Sequence, residues 1–515
     1  MPVSGLRAVR LAALTLCLIS PARAQVIPIK TIPIAQGNQF QLFPSNNLGM
    51  GSVSIALPDS LQDPFVNPAT GSRLQASRFF SSPTVYSVTR GTGGGRSLPL
   101  AVLARKANWY GGLALALQQV EPSRPPQPRG GVVVGVLPPP PPGGGLGGPI
   151  QPDPVLRPDL RAHGNQFAFG MIGRSVPGSN LSIGASVLWN GLHALDGVDL
   201  LYAGSRRIVQ SGHSLDLRLG ALKEWPGTRG ARSLEALLFH NRFAATHEVT
   251  YADLFWDPAT LQFQEQARIE RNFDHTNTWG LQLDYQVPLA APGWRFGWLA
   301  TANRSSHPKI PNYELANLPV IPRDPGRTSA FNLGVGLSKV RGPARFGVDL
   351  LYEPIASYTW ADAAAPVLTT AGDTIAAGGK TIENRFRFSN AQFRIGFDQI
   401  LQANGMTAFQ LGLIVHSIHY RLAQDDNVQL QQRSLQTGWV EWTPTWGFSI
   451  RRPEVEVRYQ GRATKGGGRP DAPIFFGVGD LRVAGGTILA APTGPLFMTD
   501  VSTVTHQITV SLPLR

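Results

Sequence analysis

Apolar and polar residues alternate along much of this chain, and the alternating stretches come in pairs joined by short turns. From Thr278 to Pro288, Trp279, Leu281, Leu283, Tyr285 and Val287 share one parity, and Gly280, Gln282, Asp284 and Gln286 the other. After the turn Ala290-Ala291-Pro292-Gly293, Trp294, Phe296 and Trp298 resume the apolar parity. Phe331, Leu333, Val335 and Leu337 repeat it, turn at Arg341-Gly342-Pro343, and return as Phe346, Val348, Leu350 and Tyr352. A period of two puts every second side chain on the same face, which is the pattern of a strand and not of a helix. Five further pairs read less cleanly in the same way: 98–104 with 109–120, 166–173 with 181–190, 213–223 with 231–243, 386–401 with 408–421, and 438–450 with 454–462. Single strands at 79–89 and 504–514 complete an all-β chain of 14–16 antiparallel strands.

The connections alternate too. Those within pairs are tight, whereas 121–163, 191–212, 244–276, 304–327, 358–383, 422–435 and 463–501 read as long loops. Short turns on one rim and long loops on the other are the layout of a transmembrane up-and-down β-barrel, with the turns periplasmic. A closed barrel pairs every backbone group without helices, as lipid demands. Trp109, Trp189, Trp279, Trp294, Trp298, Trp439, Trp442 and Trp446 stand in or at the ends of strands, where a girdle at the lipid head groups is expected. A propeller would carry a visible repeat of 40–50 residues, and none is present. Residues 122–149 are rich in proline and glycine and read as an extracellular loop segment without a packed core.

The N-terminus predicts export. Arg7 and Arg10 precede the apolar run Leu11–Ile19, and Ala22-Arg23-Ala24 supplies the small residues of a cleavage site, so 1–24 read as a signal peptide. Nine apolar residues are too few to span a bilayer as a helix, which needs roughly 20. The only cysteine, Cys17, falls inside this signal, so the mature chain is expected to have no disulfide and no thiol chemistry. The net charge is +13, of which the signal supplies +3, and the remaining cations are scattered rather than blocked. That distribution fits anionic lipid head groups or anionic solutes better than nucleic acid, which is not expected as a partner.

Catalytic patterns are weak. No Gly-x-Ser-x-Gly elbow occurs. His213 and Ser214 are neighbours, and His416 and His419 are three apart, so on strands each pair faces opposite sides. His247, Glu248 and Asp253 fall in an expected loop. The glycine clusters at 143–148 and 476–479 do not open helices, so phosphate cradling is unsupported. The chain is read as a non-enzyme with no metal and no cofactor.

Between the signal and the first strand lies Asn47-Leu48-Gly49-Met50-Gly51-Ser52-Val53-Ser54-Ile55-Ala56-Leu57-Pro58-Asp59-Ser60, followed by Asp63-Pro64-Phe65-Val66-Asn67-Pro68-Ala69. Gly49 and Gly51 permit close approach or a positive φ. Pro68 biases Asn67 toward an extended backbone, and the Asn67 side chain suits the cap of a turn. A small-residue stretch leading to Asn-Pro-Ala ahead of a barrel resembles the FadL family, outer-membrane transporters of long-chain fatty acids and other hydrophobic compounds. The segment 98–117 also resembles that family's second and third strands. The PorV-like barrels of a bacterial secretion system share the Asn-Pro-Ala feature.

The FadL resemblance implies a hatch at 25–76 ahead of a barrel at 77–515, with Gly49, Gly51, Asn67, Pro68 and Ala69 forming the gating element. It implies sideways release at the third strand, where Gly111 and Gly112 are expected to supply a bend, and a cation for a solute carboxylate, with Arg73, Arg78 and Lys106 as candidates. The implied partners are a hydrophobic small molecule, outer-membrane lipid and lipopolysaccharide, and the barrel-insertion machinery. A secretion accessory barrel and a general porin are the alternative functions.

Overall fold

In the computed structural model the described residues are 39–89, 93–121, 133–136, 163–196, 205–257, 261–307, 311–315, 318–322, 326–363, 365–401, 406–470 and 498–514. The expected signal peptide, Cys17 and most of 122–149 lie outside them. Sixteen strands build one wall: β1, in two pieces (Arg78–Ser81 and Thr84–Val88), β2 (Gly94–Lys106), β3 (Trp109–Glu121), β4 (His163–Val176), β5 (Leu181–Leu192), β6 (Ser205–Trp225), β7 (Arg232–Asp257), β8 (Gln262–Pro288), β9 (Trp294–His307), β10 (Gly326–Arg341), β11 (Ala344–Asp362), β12 (Lys380–Ile400), β13 (Thr407–Asp426), β14 (Gln431–Arg451), β15 (Glu456–Pro470) and β16 (Met498–Pro513). Every strand is antiparallel to its neighbours in sequence. β1 pairs with both β2 and β16, so the sheet closes on itself. Pro83 divides β1 because it has no N–H for the ladder, yet the register is the same on both sides of it.

The two parities seen in the sequence become the two surfaces of the wall. On β3, Leu113, Leu115 and Leu117 point outward and are 71%, 66% and 64% exposed, while Ala114, Ala116 and Gln118 point inward and are buried. On β10 the outward residues are Leu333 and Val335, and the inward ones Asn332, Gly334, Gly336 and Ser338. Large aliphatic side chains left outside, on a wall with no open edge, identify a membrane-spanning barrel. No helix among the described residues is long and apolar enough to cross a membrane.

Several expected loops are strand instead. Residues 244–257 and 262–276 continue β7 and β8 as one hairpin, in register from Gln262↔Asp257 to Gln286↔Ser233. His247, Glu248 and Asp253 therefore stand on β7, not in a loop, and the first two face opposite sides. Residues 422–426 and 431–435 likewise extend β13 and β14. The 304–327 connection carries a small hairpin (Pro311–Leu315 with Leu318–Pro322), and 358–383 carries another (Val367–Leu368 with Thr374–Ile375). Within the Pro/Gly-rich stretch, Val133–Val136 pairs in parallel with 254–256 of β7. Strand ends that rise beyond the lipid have water on the outside, so they need no apolar parity and hide from a periodicity reading. Trp439 is a second correction. It lies on β14 with odd parity, opposite to Trp442 and Trp446, and faces the lumen, where its indole N–H donates to Glu441 (3.2 Å).

Candidate functional site

Residues 44–77 fill the lumen at the turn-side end of the barrel as a plug, and 39–43 run up the lumen to the loop-side ends of β3 and β5, where Gln39 bonds Gln118 and the Ala194 carbonyl. Its own fold is organised by Asp59. That buried carboxylate accepts hydrogen bonds from Ser45 Oγ (2.6 Å), the Asn46 N–H (2.7 Å) and side chain (2.9 Å), and the Leu61 (3.0 Å) and Gln62 (3.2 Å) N–H groups. The two arms of the plug, 45–47 and 59–62, are thus tied at one point. A short 3₁₀ turn (Leu48–Met50), a one-turn α-helix (Asp63–Val66) and a second 3₁₀ segment (Pro68–Arg73) follow in order.

The first arm lies on β9–β14 with its backbone against the wall. Inward glycines make that approach possible. A side chain on Gly396 would run into the Met50 carbonyl, on Gly412 into the Gly51 N–H, and on Gly297 into the Ile55 carbonyl. A Cβ on Gly347 would stand 2.5 Å from Val53 Cγ1. Gly51 itself has φ +69°, and a Cβ there would sit 2.5 Å from the Ile395 carbonyl. A Cβ on Gly49 would meet Gln410 Oε1 at 2.7 Å. Wall side chains then satisfy the plug backbone. Asp349 accepts from Ser54 N–H (2.8 Å) and Ile55 N–H (3.2 Å), Thr445 Oγ1 accepts from Gly51 N–H (2.8 Å), and Ser338 Oγ donates to the Ala56 carbonyl (2.7 Å).

The second arm is held by charge on β6–β7. Asn67 is extended (φ −119°, ψ 106°), as expected before a proline, and its Oδ1 caps the turn by accepting from Ala69 N–H (3.1 Å). Its amide donates to Glu235 (3.2 Å) and its side chain sits over Gly220, while the Pro68 carbonyl sits over Gly184. Arg73 donates to Glu224 (3.0 Å) and Glu235 (2.7 Å), and Arg218 donates to the carbonyls of Phe65 (3.1 Å) and Val66 (3.0 Å). Burial, and then the neighbouring Asp59 and Glu235 carboxylates, push the Asp63 carboxyl well above the usual aspartate value. Burial works against the Arg73 charge, but Glu235 and Glu224 outweigh it and raise its pKa.

Apolar side chains line the lumen around and above this plug. Phe65 stacks on Phe43 (centroids 4.0 Å apart) and meets Phe80 and Phe169 edge-on or tilted. Phe167, Leu192, Leu195 and Phe243 continue that lining and pack with Leu42 of the 39–43 run. Across the barrel, Phe386, Phe388, Tyr420 and Leu422 form a second inward patch on β12–β13. Between them the wall of β8–β10 is polar, with Thr278, Thr301, Asn303, Ser305 and Thr328 buried inward. None of this lining was legible beforehand, because inward and outward apolar residues look alike in sequence.

The remaining candidates separate. Pairing is continuous through Gly111 and Gly112, from Lys106↔Trp109 to Gly94↔Glu121 on one side and from Trp109↔Arg174 to Val120↔His163 on the other. Gly112 faces inward and leaves room for Leu103, whose Cδ2 would lie 2.5 Å from an added Cβ. Arg73 is already bound to two wall carboxylates, Arg78 lies 3.6 Å from Glu456 at the turn rim, and Lys106 is exposed beside the β2–β3 turn. The three do not converge on one pocket. His213 is exposed and Ser214 buried on opposite faces of β6. His416 faces the lumen beside Glu353 (3.6 Å) and Glu441 (3.5 Å), whereas His419 faces out.

No family model and no curated protein matches this chain. Solved structures similar in fold include the toluene transporter TbuX of Ralstonia pickettii, at 11% identity and TM-score 0.39 over 93% of this chain and 100% of that one. The CymD monoaromatic hydrocarbon channel matches at 11% identity and TM-score 0.35, over 93% and 99%. A bacterial polysaccharide outer membrane secretin matches at 7% identity and TM-score 0.35, over 85% and 99%. Likeness of this degree does not separate one function from another.

Proposed function

We propose that this chain is a bacterial outer-membrane barrel that takes up hydrophobic or amphipathic small molecules, fatty-acid-like in character, by diffusion past the N-terminal plug. The observation that carries the reading is the sequence of surfaces along the lumen: two apolar patches above, then a plug tied to the wall over much of the circumference. A general porin needs an open polar path, and a scaffold needs no lumenal lining. An amphipathic solute finds both an apolar wall and the polar β8–β10 wall at the same height. Release requires the plug to shift, and residues Asn67 to Arg73, held by charge, form the arm that shifts. Sideways release at Gly111–Gly112 would be a further movement, since the ladder there is closed while the plug is seated.

The test is uptake of a fluorescent long-chain fatty acid by cells expressing the protein, compared with Phe243→Asp and Phe388→Asp. Both variants should remain heat-modifiable on gels and lose uptake, because a carboxylate in an apolar lining repels the solute's chain and head together. Undiminished uptake in both variants would remove this reading. Steady conductance of the intact protein would favour a porin, and a stable co-purifying protein an accessory role.

A further inference from the structure

The outer surface of β10–β13 carries cations where an apolar wall ends. Cross-strand register places outward residues in rows. One row runs Ser329, Ala356, Arg387, Arg421, Gln436, and the next toward the loops runs Arg327, Tyr358, Arg385, Ala423. Arg387 and Arg421 are direct cross-strand partners, both exposed, and neither has an ion pair among the described residues. Like charges so placed repel, with side chains about 5 Å apart at their bases. Arg327, Lys380 and Arg385 gather round the Tyr358 ring, at 5.4, 5.2 and 5.8 Å from its centre. Glu383 and Asp425 pair with Lys380 and Arg385 only.

The small residues Ser329 and Ala356 leave a hollow among these cations. It measures about 470 Å³ and is lined by Arg327, Ser329, Tyr358, Lys380, Arg385 and Arg387. On the turn side of it the outward residues become Leu333, Tyr352, Val335, Leu350 and Phe393, all exposed. One row of strand residues is about 6.7 Å tall, and the two arginine rows stand two and three rows above Leu333 and Tyr352.

We infer that this patch binds the phosphate groups of a phosphorylated, multiply acylated glycolipid in the outer leaflet, with the acyl chains lying on the apolar rows below. An anion between Arg387 and Arg421 turns a repulsive pair into a bidentate site, and guanidinium forks match phosphate oxygens. The small side chains admit the head group, and Tyr358 and Trp360 stand at the interface, as aromatic girdles do. The inference rests on the membrane-spanning orientation above, with loops outward, and is independent of what the plug does.

The test measures the thermal shift of the detergent-purified full-length barrel on titration with lipopolysaccharide, with the same glycolipid after phosphatase treatment, and with inorganic phosphate. Lipopolysaccharide alone should stabilise the wild type. Arg387→Ala with Arg421→Ala should weaken its apparent affinity at least about tenfold, the value of one charged hydrogen bond. Lys339→Ala with Arg341→Ala, at the opposite rim, should leave it unchanged. Should the arginine double variant fail to fold, Arg387→Lys with Arg421→Lys keeps the charge, loses the forks, and is expected to bind measurably more weakly. An equal shift with the dephosphorylated lipid, an equal shift with inorganic phosphate, or wild-type affinity in the arginine variants would each overturn the inference. Fatty-acid uptake should persist in every one of these variants, so failure here is distinguishable from failure of the transport reading.

Discussion

The two arms of the plug are held by different forces. Residues 46–57 lie backbone to backbone on the glycine wall of β9–β14, fixed first by sheer lack of room and then by hydrogen bonds between their backbone and wall side chains, both neutral (Thr445, Ser338) and charged (Asp349, Arg394). Residues 63–74 stand on β6–β7 through Arg73, Glu224, Glu235 and Arg218. A steric seat has one geometry and fails all at once. An electrostatic seat can be weakened by protonation, by water or by a competing anion, and then re-formed. On the proposed transport reading, the first arm is the anchor and the second the moving part.

Breaking the anchor should have the largest effect. Gly396→Val drives a side chain into the Met50 carbonyl, and because that obstacle is backbone the plug must leave the wall. The variant should remain heat-modifiable and show steady conductance in planar bilayers. Breaking the charged arm should do less. Arg73→Ala leaves two partly buried wall carboxylates unpaired, costing on the order of 3 kcal/mol, and should produce brief openings rather than a permanent leak in single-channel records. Asn67→Ala removes the turn cap and the bond to Glu235, about 1 kcal/mol, and should only quicken hydrogen exchange in residues 63–74.

The smallest effect is a pH dependence confined to the charged arm. The seated plug raises the Asp63 pKa, so the seated state holds that proton more tightly than the released one. Its contribution to seating is complete below the ordinary aspartate pKa and is lost as pH rises through the raised value. Exchange in 63–74, corrected for its intrinsic rate, should quicken across that rise in the wild type and stay level in Asp63→Asn. Exchange in 46–57 should be the same in the wild type and in Asp63→Asn at every pH.

The same contrast separates what was legible in the sequence from what was not. Alternation within the lipid, as in Phe331 to Ser338, gave away the strands because one face must be apolar and the other need not be. The hairpin of β7 and β8 rises past residues 244–276, where that requirement lapses, and it read as a loop. Asn67-Pro68-Ala69 was legible because cap and extended backbone are local chemistry. The glycines at 334, 336 and 347 stand at the non-apolar parity of their strands, and nothing local says what they accommodate. What Gly396 accommodates is Met50, which is remote in sequence. Asp59 carries no local signal for a similar reason, since its donors come from two arms that meet only in the fold. Parity alone could have placed Trp439 inside, being opposite to Trp442 on one strand.

Closure of the barrel by residues 39–77 is tested most directly by the conductance of the intact chain beside a variant lacking those residues, both checked for heat-modifiability. A closed intact protein and a large, steady conductance in the deletion are the predicted pair. Steady conductance of the same size in both would contradict it.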